Sequence, residues 1–306
     1  MLELVNSIEK ADYITHSGTF HADEVFSTAF FLLLKEKIKL YRINEIDPRK
    51  YPDKTIYDIG HGKWDHHQID ALKRKNNIPY CSFGLIFKDF GEELLKKKEI
   101  KYQKEVWEEI DSEFVEQIDA IDNGIFPKVE AKYKLKNLCD IIKLMNPSFH
   151  SGETEEEQFK KAVNIAKIIL EEEIASATGK VIARHIIEKE IKNVKNHLLI
   201  LKEYMPYEDT ILKQDSNEEI LFVTYPSTRG GYAIKTVPKS LVDKTDRMKF
   251  PEEWAGKQKK ELEKVSGIKG ANFCHNGLFI TTCDSLETAK KIVQKTIEIR
   301  KESVNQ

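Results

Sequence analysis

Apolar positions recur along this chain with two periods, and the switches between them outline an α/β protein. Tyr13-Ile14-Thr15 is a short apolar run, so residues 12–16 read as a first strand. Val25 to Leu34 is apolar at nearly every position and predicts a helix from Asp23 to about Lys37. Ile38 to Ile43 alternates like a second strand, Asp47-Pro48 opens a turn, and Lys54 to Ile59 supplies a third strand. This order, with further helices after it, argues for a mainly parallel sheet flanked by helices.

Beyond a basic loop (Lys73-Arg74-Lys75-Asn76-Asn77), which reads as a solvated turn, Ser82 is a candidate cap for a helix carrying Phe83, Leu85, Ile86 and Phe90. A longer helix is predicted over about Lys104 to Ile121, with Trp107, Ile110, Phe114, Ile118 and Ile121 as its apolar stripe and Gly124 beyond its end. At about 100° per residue, Asp122 lies roughly 70° from the stripe centre and Asp119 roughly 130°. Asp122 is therefore expected to project inward and Asp119 to be solvated, although Asp111 also falls near the stripe.

Thr154-Glu155-Glu156-Glu157 has the form of a capping box, and a long helical region should follow to about Leu199, with Gly179 a candidate interruption. Met205 to Glu219 is polar and turn-rich, as a hinge would be. The expected division is a first domain at 1–196 and a smaller α/β carboxyl-terminal domain at 205–306. In the second domain Ile220 to Tyr225, Ala233 to Val237 and Leu278 to Thr281 read as apolar runs. Asp284 or Ser285 caps a last amphipathic helix through Ile297.

Candidate chemistry lies at two junctions of this pattern. His16, His21, Asp23 and Glu24 fall at the first strand-to-helix junction, where open α/β sheets place ligand-binding groups. Glu24 reads as a first-turn acid favoured by the helix dipole. After the third strand come Asp58 and the triplet Asp65-His66-His67, separated by glycines. Imidazole and carboxylate bind divalent first-row metals, which activate water. In an extended segment His66 and His67 point to opposite sides, so one is expected on a metal and the other toward substrate. Asp65 then orients an imidazole. Alone, the triplet also fits a surface turn. His185 and His197 lack acids at metal spacing and read as surface or packing residues.

Composition narrows the setting. The net charge of −2 gives no global basic field for nucleic acid, so a phosphate-bearing substrate would need metals and a local group of cations. Cys81, Cys139, Cys274 and Cys283 show no Cys-x-x-Cys spacing and read as reduced thiols. No signal-peptide pattern and no run of about 18 apolar residues is present, so a cytoplasmic protein without a membrane span is expected.

The ordered set His16, His21-x-Asp23, Asp58 and Asp65-His66-His67 resembles the motifs of the DHH phosphoesterase superfamily. Thr15-His16-x-Gly18-x-Phe20-His21-x-Asp23-Glu24 and Ala120-Ile121-Asp122-Asn123-Gly124 more closely resemble the melanocyte-proliferating-gene family. Arg229-Gly230-Gly231-Tyr232 and Phe250-Pro251-Glu252-x-Trp254-Ala255-Gly256 extend that resemblance over nearly the whole chain. It implies a two-domain phosphoesterase fold and a 3′-to-5′ RNA exonuclease activity. It also implies two divalent ions, manganese favoured with zinc or magnesium open, held by His16, His21, Asp23, Asp58, His66 and Asp122. One departure stands out: His21 occupies a position where many superfamily members carry Asp, which makes the site less anionic.

His67 and Asp65 would serve the chemistry, the former by donating to a phosphoryl or leaving oxygen. Arg229, Gly230, Gly231, His275 and Asn276 are candidates for holding RNA or oligonucleotide. The Arg229 motif alone also fits a hairpin loop. Arg247, Lys249, Phe250 and Trp254 offer the ingredients for stacking a base beside a phosphate. Hydrolysis of an amide or another small phosphate ester, and a non-catalytic metal-stabilised RNA-binding module, are the rival readings. Oligomeric state is open.

Overall fold

The computed structural model describes residues 1–304, with no side-chain description for residues 303 and 304. The chain divides into two compact units, Met1–Val181 and Ile182 onward.

In the first unit, strands β1 (Leu2–Leu4), β2 (Tyr13–His16), β3 (Ile38–Ile43) and β4 (Thr55–Ile56) form a four-stranded sheet of order β1-β3-β2-β4. All its pairings are parallel. Helix α1 (Ala22–Lys35) makes the crossover from β2 to β3. It is buried at every position from Ala22 to Leu34, as its unbroken apolar run requires. Helix α2 (Ser82–Lys97), helix α3 (Gln103–Ile110) and helix α4 (Glu116–Asp122) join α1 around a core containing Phe26, Phe30, Phe83, Phe87, Phe114 and Tyr57. Helix α5 (Leu138–Lys143) follows, and the 36-residue α6 (Glu155–Glu190) starts in this unit and continues in sequence past Val181. The parallel sheet with flanking helices is the layer expected from the pattern.

The predicted helix over 104–121 is not uniformly α. Asp111–Val115 forms a π-helical turn between α3 and α4. An i→i+5 turn holds one residue more than an α turn, so everything downstream is displaced by about one position, or ~100°. The buried positions change accordingly, from Val106 and Ile110 before the turn to Val115, Ile118 and Asp119 after it. The expectation that Asp119 is solvated is thereby overturned; its side chain is 0% exposed.

Helix α6 runs through Gly179 without interruption and ends at Glu190, before the predicted limit. Its amino terminus carries the reciprocal Thr154–Glu157 bonds of the anticipated capping box. The second unit has a five-stranded sheet of β5 (Leu198–Ile200), β6 (Phe222–Pro226), β7 (Tyr232–Thr236), β8 (Ala271–Cys274) and β9 (Ile280–Cys283), in the order β5-β6-β7-β9-β8. Only the β5–β6 pairing is parallel. The polar stretch expected to be a hinge contains helix α7 (Glu208–Gln214), whose Ile211 packs with Val223 and Val237 on one face of this sheet. The other face packs on α8 (Lys259–Ser266) and α9 (Leu286–Val304), with Phe250 and Trp254 inside. Ser285, not Asp284, caps α9 by accepting from the Thr288 N–H at 3.1 Å. Among the described residues, no helix is long and apolar enough to cross a membrane.

Candidate metal centre

The carboxyl ends of β2 and β4 bring His16 and Asp58 side by side. His16 Nε2 lies 3.0 Å from Glu24 Oε1 and 3.3 Å from Asp58 Oδ2. His66 Nε2 lies 3.4 Å from Asp58 Oδ1, 3.2 Å from Asp122 Oδ2 and 3.6 Å from Asp23 Oδ2. His16, His21, Asp23, Asp58, His66, His67 and Asp122 border a cleft of about 330 Å³. Four overlapping groups of donors could hold a metal ion: His16/His21/Glu24, Asp58/His66/His67, Asp23/His66/Asp122 and Asp23/Glu24/Asp58.

The His16–His21 loop and Asp58 are tied in place by their surroundings. Arg42 donates to the His16 and Gly18 carbonyls at 3.1 and 2.9 Å and to Glu155 at 2.7 Å, while Glu155 accepts from the Gly18 N–H at 2.8 Å. The guanidinium stacks 4.3 Å from the Phe159 ring. Asn146 brackets Phe20, donating to its carbonyl at 2.8 Å and accepting from its N–H at 2.9 Å. Asp58 sits in the left-handed region (φ 56°), uncommon outside glycine and a mark of a site held by its surroundings. Its N–H donates to the Trp64 carbonyl at 2.9 Å, and Ser82 Oγ donates to its carboxylate at 3.1 Å. Ser82 therefore binds Asp58 and does not cap α2, where Cys81 holds the cap position. Gly60 has φ +82°, and a Cβ there would lie 2.7 Å from the Ile46 carbonyl, so the turn requires glycine.

Two expectations about this cluster are corrected. Glu24 is more than a helix-dipole acid: it accepts from the His21 N–H at 2.9 Å and also faces His16. Because α1 is buried all round, an acid in its first turn has no solvated face, and that was the readable signal. His66 and His67 are not on opposite sides, because residues 65–67 are not in a strand. Their rings are 4.3 Å apart, and both reach toward Asp58. His67 Nδ1 is 2.7 Å from Asp65 Oδ1, so Asp65 does hold an imidazole.

The electrostatics describe a pocket with too much buried negative charge. Burial, then the charges of Asp58, Asp122 and Glu24, push Asp23 well above the usual carboxylate range. Burial raises Asp122 to about 6 against the pull of His66. Burial opposes the charge on His16, but hydrogen bonds to Asp58 and Glu24 prevail and push it up to about 11. Asp58 is held low by His16 and His66 in spite of its burial. His67 is raised chiefly by its bond to Asp65. Asp23 is 1% exposed, yet its Oδ2, 3.6 Å from His66 Nε2, has no hydrogen-bond partner among the described residues. A buried carboxyl oxygen without a hydrogen bond is costly in general, and the cost rises steeply when the group is ionised. Divalent cations satisfy such an oxygen, and the mixed imidazole–carboxylate donor set fits them.

Asp119 belongs to a separate structure. Its carboxylate accepts from Arg74 Nε at 2.7 Å and from the Cys81 N–H at 2.9 Å, while both Arg74 Nη atoms hold Asp111 at 2.6 and 2.8 Å. Arg74 is thus buried, not part of a solvated turn, because the π-helical phase turns Asp119 toward it.

In the second unit Arg229 is an exposed residue of the β6–β7 turn. Gly230 has φ +90°, and a Cβ on Gly231 would come 2.1 Å from the Cys283 carbonyl. His275 Nδ1 accepts from the Gly277 N–H at 2.9 Å, and Asn276 packs against Gly256. The expected base-stacking group is corrected: Phe250 and Trp254 are core residues, and Arg247 is buried in an ion pair with Asp215. His197 bonds the Glu219 carbonyl at 2.7 Å. All four cysteines are free.

Carboxylates and imidazoles gathered at the carboxyl ends of parallel strands define an α/β protein with a candidate divalent-metal centre. The chain belongs to the MYG1 exonuclease family, described as Uncharacterised protein family (UPF0160), whose family model matches residues 12–297. It is 27% identical to the MYG1 protein of Dictyostelium discoideum, covering 92% of this chain and 95% of that one. It is also 27% identical to the MYG1 exonuclease of Homo sapiens, covering 94% of this chain and 85% of that one. The same identity relates it to the MYG1 protein of Chlamydia trachomatis, covering 93% and 96%. No solved structure matches the chain.

Proposed function

We propose that the chain is a metal-dependent phosphodiester hydrolase of the DHH type, removing nucleotides from the 3′ end of RNA or short oligonucleotides. The observation that carries this reading is the buried Asp23 oxygen, without a hydrogen bond among the described residues, inside a cluster of imidazoles and carboxylates. Membership in a family whose human, rat and mouse proteins are named exonucleases supports the nucleic-acid substrate.

One ion would be held by His16, His21 and Asp23, the other by Asp23, Asp58, His66 and Asp122, with Glu24 added as a neighbour of both sets. Manganese is the proposed ion. Bound divalent ions of this kind supply Lewis acidity and a nucleophilic water near neutral pH. The chain's own groups then orient and protonate. His67, fixed through Nδ1 by Asp65, is half-exposed at the cleft; the Asp65 carboxylate favours its protonated form, which would donate to a phosphoryl or leaving oxygen. Arg229, with Gly230, Gly231, His275 and Asn276, is proposed to hold substrate phosphate. In support, the Arg229 guanidinium has no partner among the described residues.

A turnover panel tests the reading: end-labelled RNA, DNA, dinucleotides, pyrophosphate and peptides, with and without added manganese, zinc or magnesium. Metal-dependent release of mononucleotides from the 3′ end is expected. Full activity in chelated, metal-free protein would end the proposal.

A further inference from the structure

The excursion between α4 and α6 begins and ends at the metal centre. It leaves directly after Asp122, which borders the cleft, and returns at Asn146, whose amide brackets Phe20 beside His21. Every residue from Gly124 to Lys136 is exposed. Helix α5 anchors the excursion through Ile142, which is buried in the core, but three aromatic rings of the excursion face solvent: Phe126 and Tyr133 are 63% and 74% exposed, and Phe149 is 102% exposed.

Charge makes the exposure informative. From Asn123 to His150 there are five lysines (Lys128, Lys132, Lys134, Lys136, Lys143) and two acids (Glu130, Asp140), in a chain whose net charge is −2. None of the five lysines forms an ion pair among the described residues. Unpaired cations interleaved with exposed aromatic rings form a surface that tracks a phosphate backbone and stacks unpaired bases. A duplex, whose bases are already stacked, cannot use the rings.

We infer that the exposed side chains of residues 125–149 form the single-strand binding strap of the metal centre, with the lysines on phosphates and Phe126 and Tyr133 under bases. This rests on the nuclease reading above and deepens it: it assigns single-stranded substrate to a segment of the first unit.

The test is fluorescence anisotropy with the full chain in chelator, using labelled single-stranded RNA of about twelve nucleotides and its duplex over a series of salt concentrations. Wild type should prefer the single strand. Replacing Lys128, Lys132, Lys134 and Lys136 by Gln should flatten the slope of log K against log salt by about 0.7 for each phosphate no longer neutralised. Phe126→Ala with Tyr133→Ala should weaken single-strand binding about tenfold or more. Melting temperature and manganese affinity, the latter by calorimetry, should match wild type in both variants.

Variants that keep wild-type affinity and salt slope would overturn the strap, and equal binding of duplex and single strand would do the same. If wild type hydrolyses RNA while the variants bind as it does, the strap alone fails. If wild type neither binds nor hydrolyses oligonucleotides, the nuclease reading fails with it. A change in sedimentation coefficient without a change in RNA affinity would mark the segment as an interface between copies and remove the proposal.

Discussion

Arg74→Leu isolates the buried ion pair that fixes the end of α4. The guanidinium gives Asp119 its 2.7 Å bond and Asp111 two more, and Asp119 is 0% exposed. Without it, Asp119 keeps only its contacts to Cys81, the N–H at 2.9 Å and the thiol. Removing one partner of a buried pair typically costs about 3–5 kcal/mol, whereas an exposed pair costs about 0.2–1 kcal/mol. Urea unfolding of the Met1–Val181 unit, followed by circular dichroism at pH 7.5, should give a loss in the larger range.

The loss has a pH signature. Burial already places Asp119 at about 6 in spite of Arg74 and the Cys81 N–H. Removing the cation raises the folded-state value further, so the penalty is full above that value. It shrinks as pH falls and the carboxyl becomes neutral. Arg74→Leu combined with Asp119→Leu should recover most of the stability, since no charge is then left buried. A loss below ~1 kcal/mol in Arg74→Leu at pH 7.5 would refute the argument, because a solvated pair behaves that way.

Asp58→Asn and His66→Ala should each abolish metal-dependent hydrolysis while circular dichroism stays native; retained turnover removes that residue from the ligand set. Asp122→Asn should lower manganese affinity and turnover with little loss of stability, whereas Asp119→Asn should lower stability first; a calorimetric and melting comparison separates them. Arg229→Ala should lower kcat/KM by an amount equivalent to about 1.5–3 kcal/mol with metal affinity unchanged. A fall confined to KM indicates uniform binding, and an unchanged kcat/KM excludes a role for Arg229 in holding substrate.

The first sheet was legible because β2, α1 and β3 keep clean periods, and the site stood at the strand ends where open α/β sheets put their chemistry. The short strands β1, β5 and β8 were missed: three or four residues carry too little alternation to register. Arg42, Glu155 and Asn146 were also missed as supports of the His16–His21 loop. Each bonds to residues 24 to 137 positions away, which local pattern does not encode. Phe250 and Trp254 looked like a stacking surface for a related reason. Aromatic rings near cations read alike whether they face solvent or fill a core. The helix angles of Asp119 and Asp122 assumed a constant turn, and Asp111–Val115 does not keep it.

That wide turn makes chain length, as much as side-chain identity, a condition for the centre. Deleting one residue within Asp111–Val115 would let the segment relax to regular α-helix and wind everything after it back by about 100°. Asp119 would swing away from Arg74 and Asp122 away from His66 in one movement, with every ligand residue still encoded. An insertion or deletion here therefore acts like a double substitution at two carboxylates, the buried Asp119 and the cleft-lining Asp122. The same change in the exposed stretch Gly124–Lys136 leaves both acids where they are.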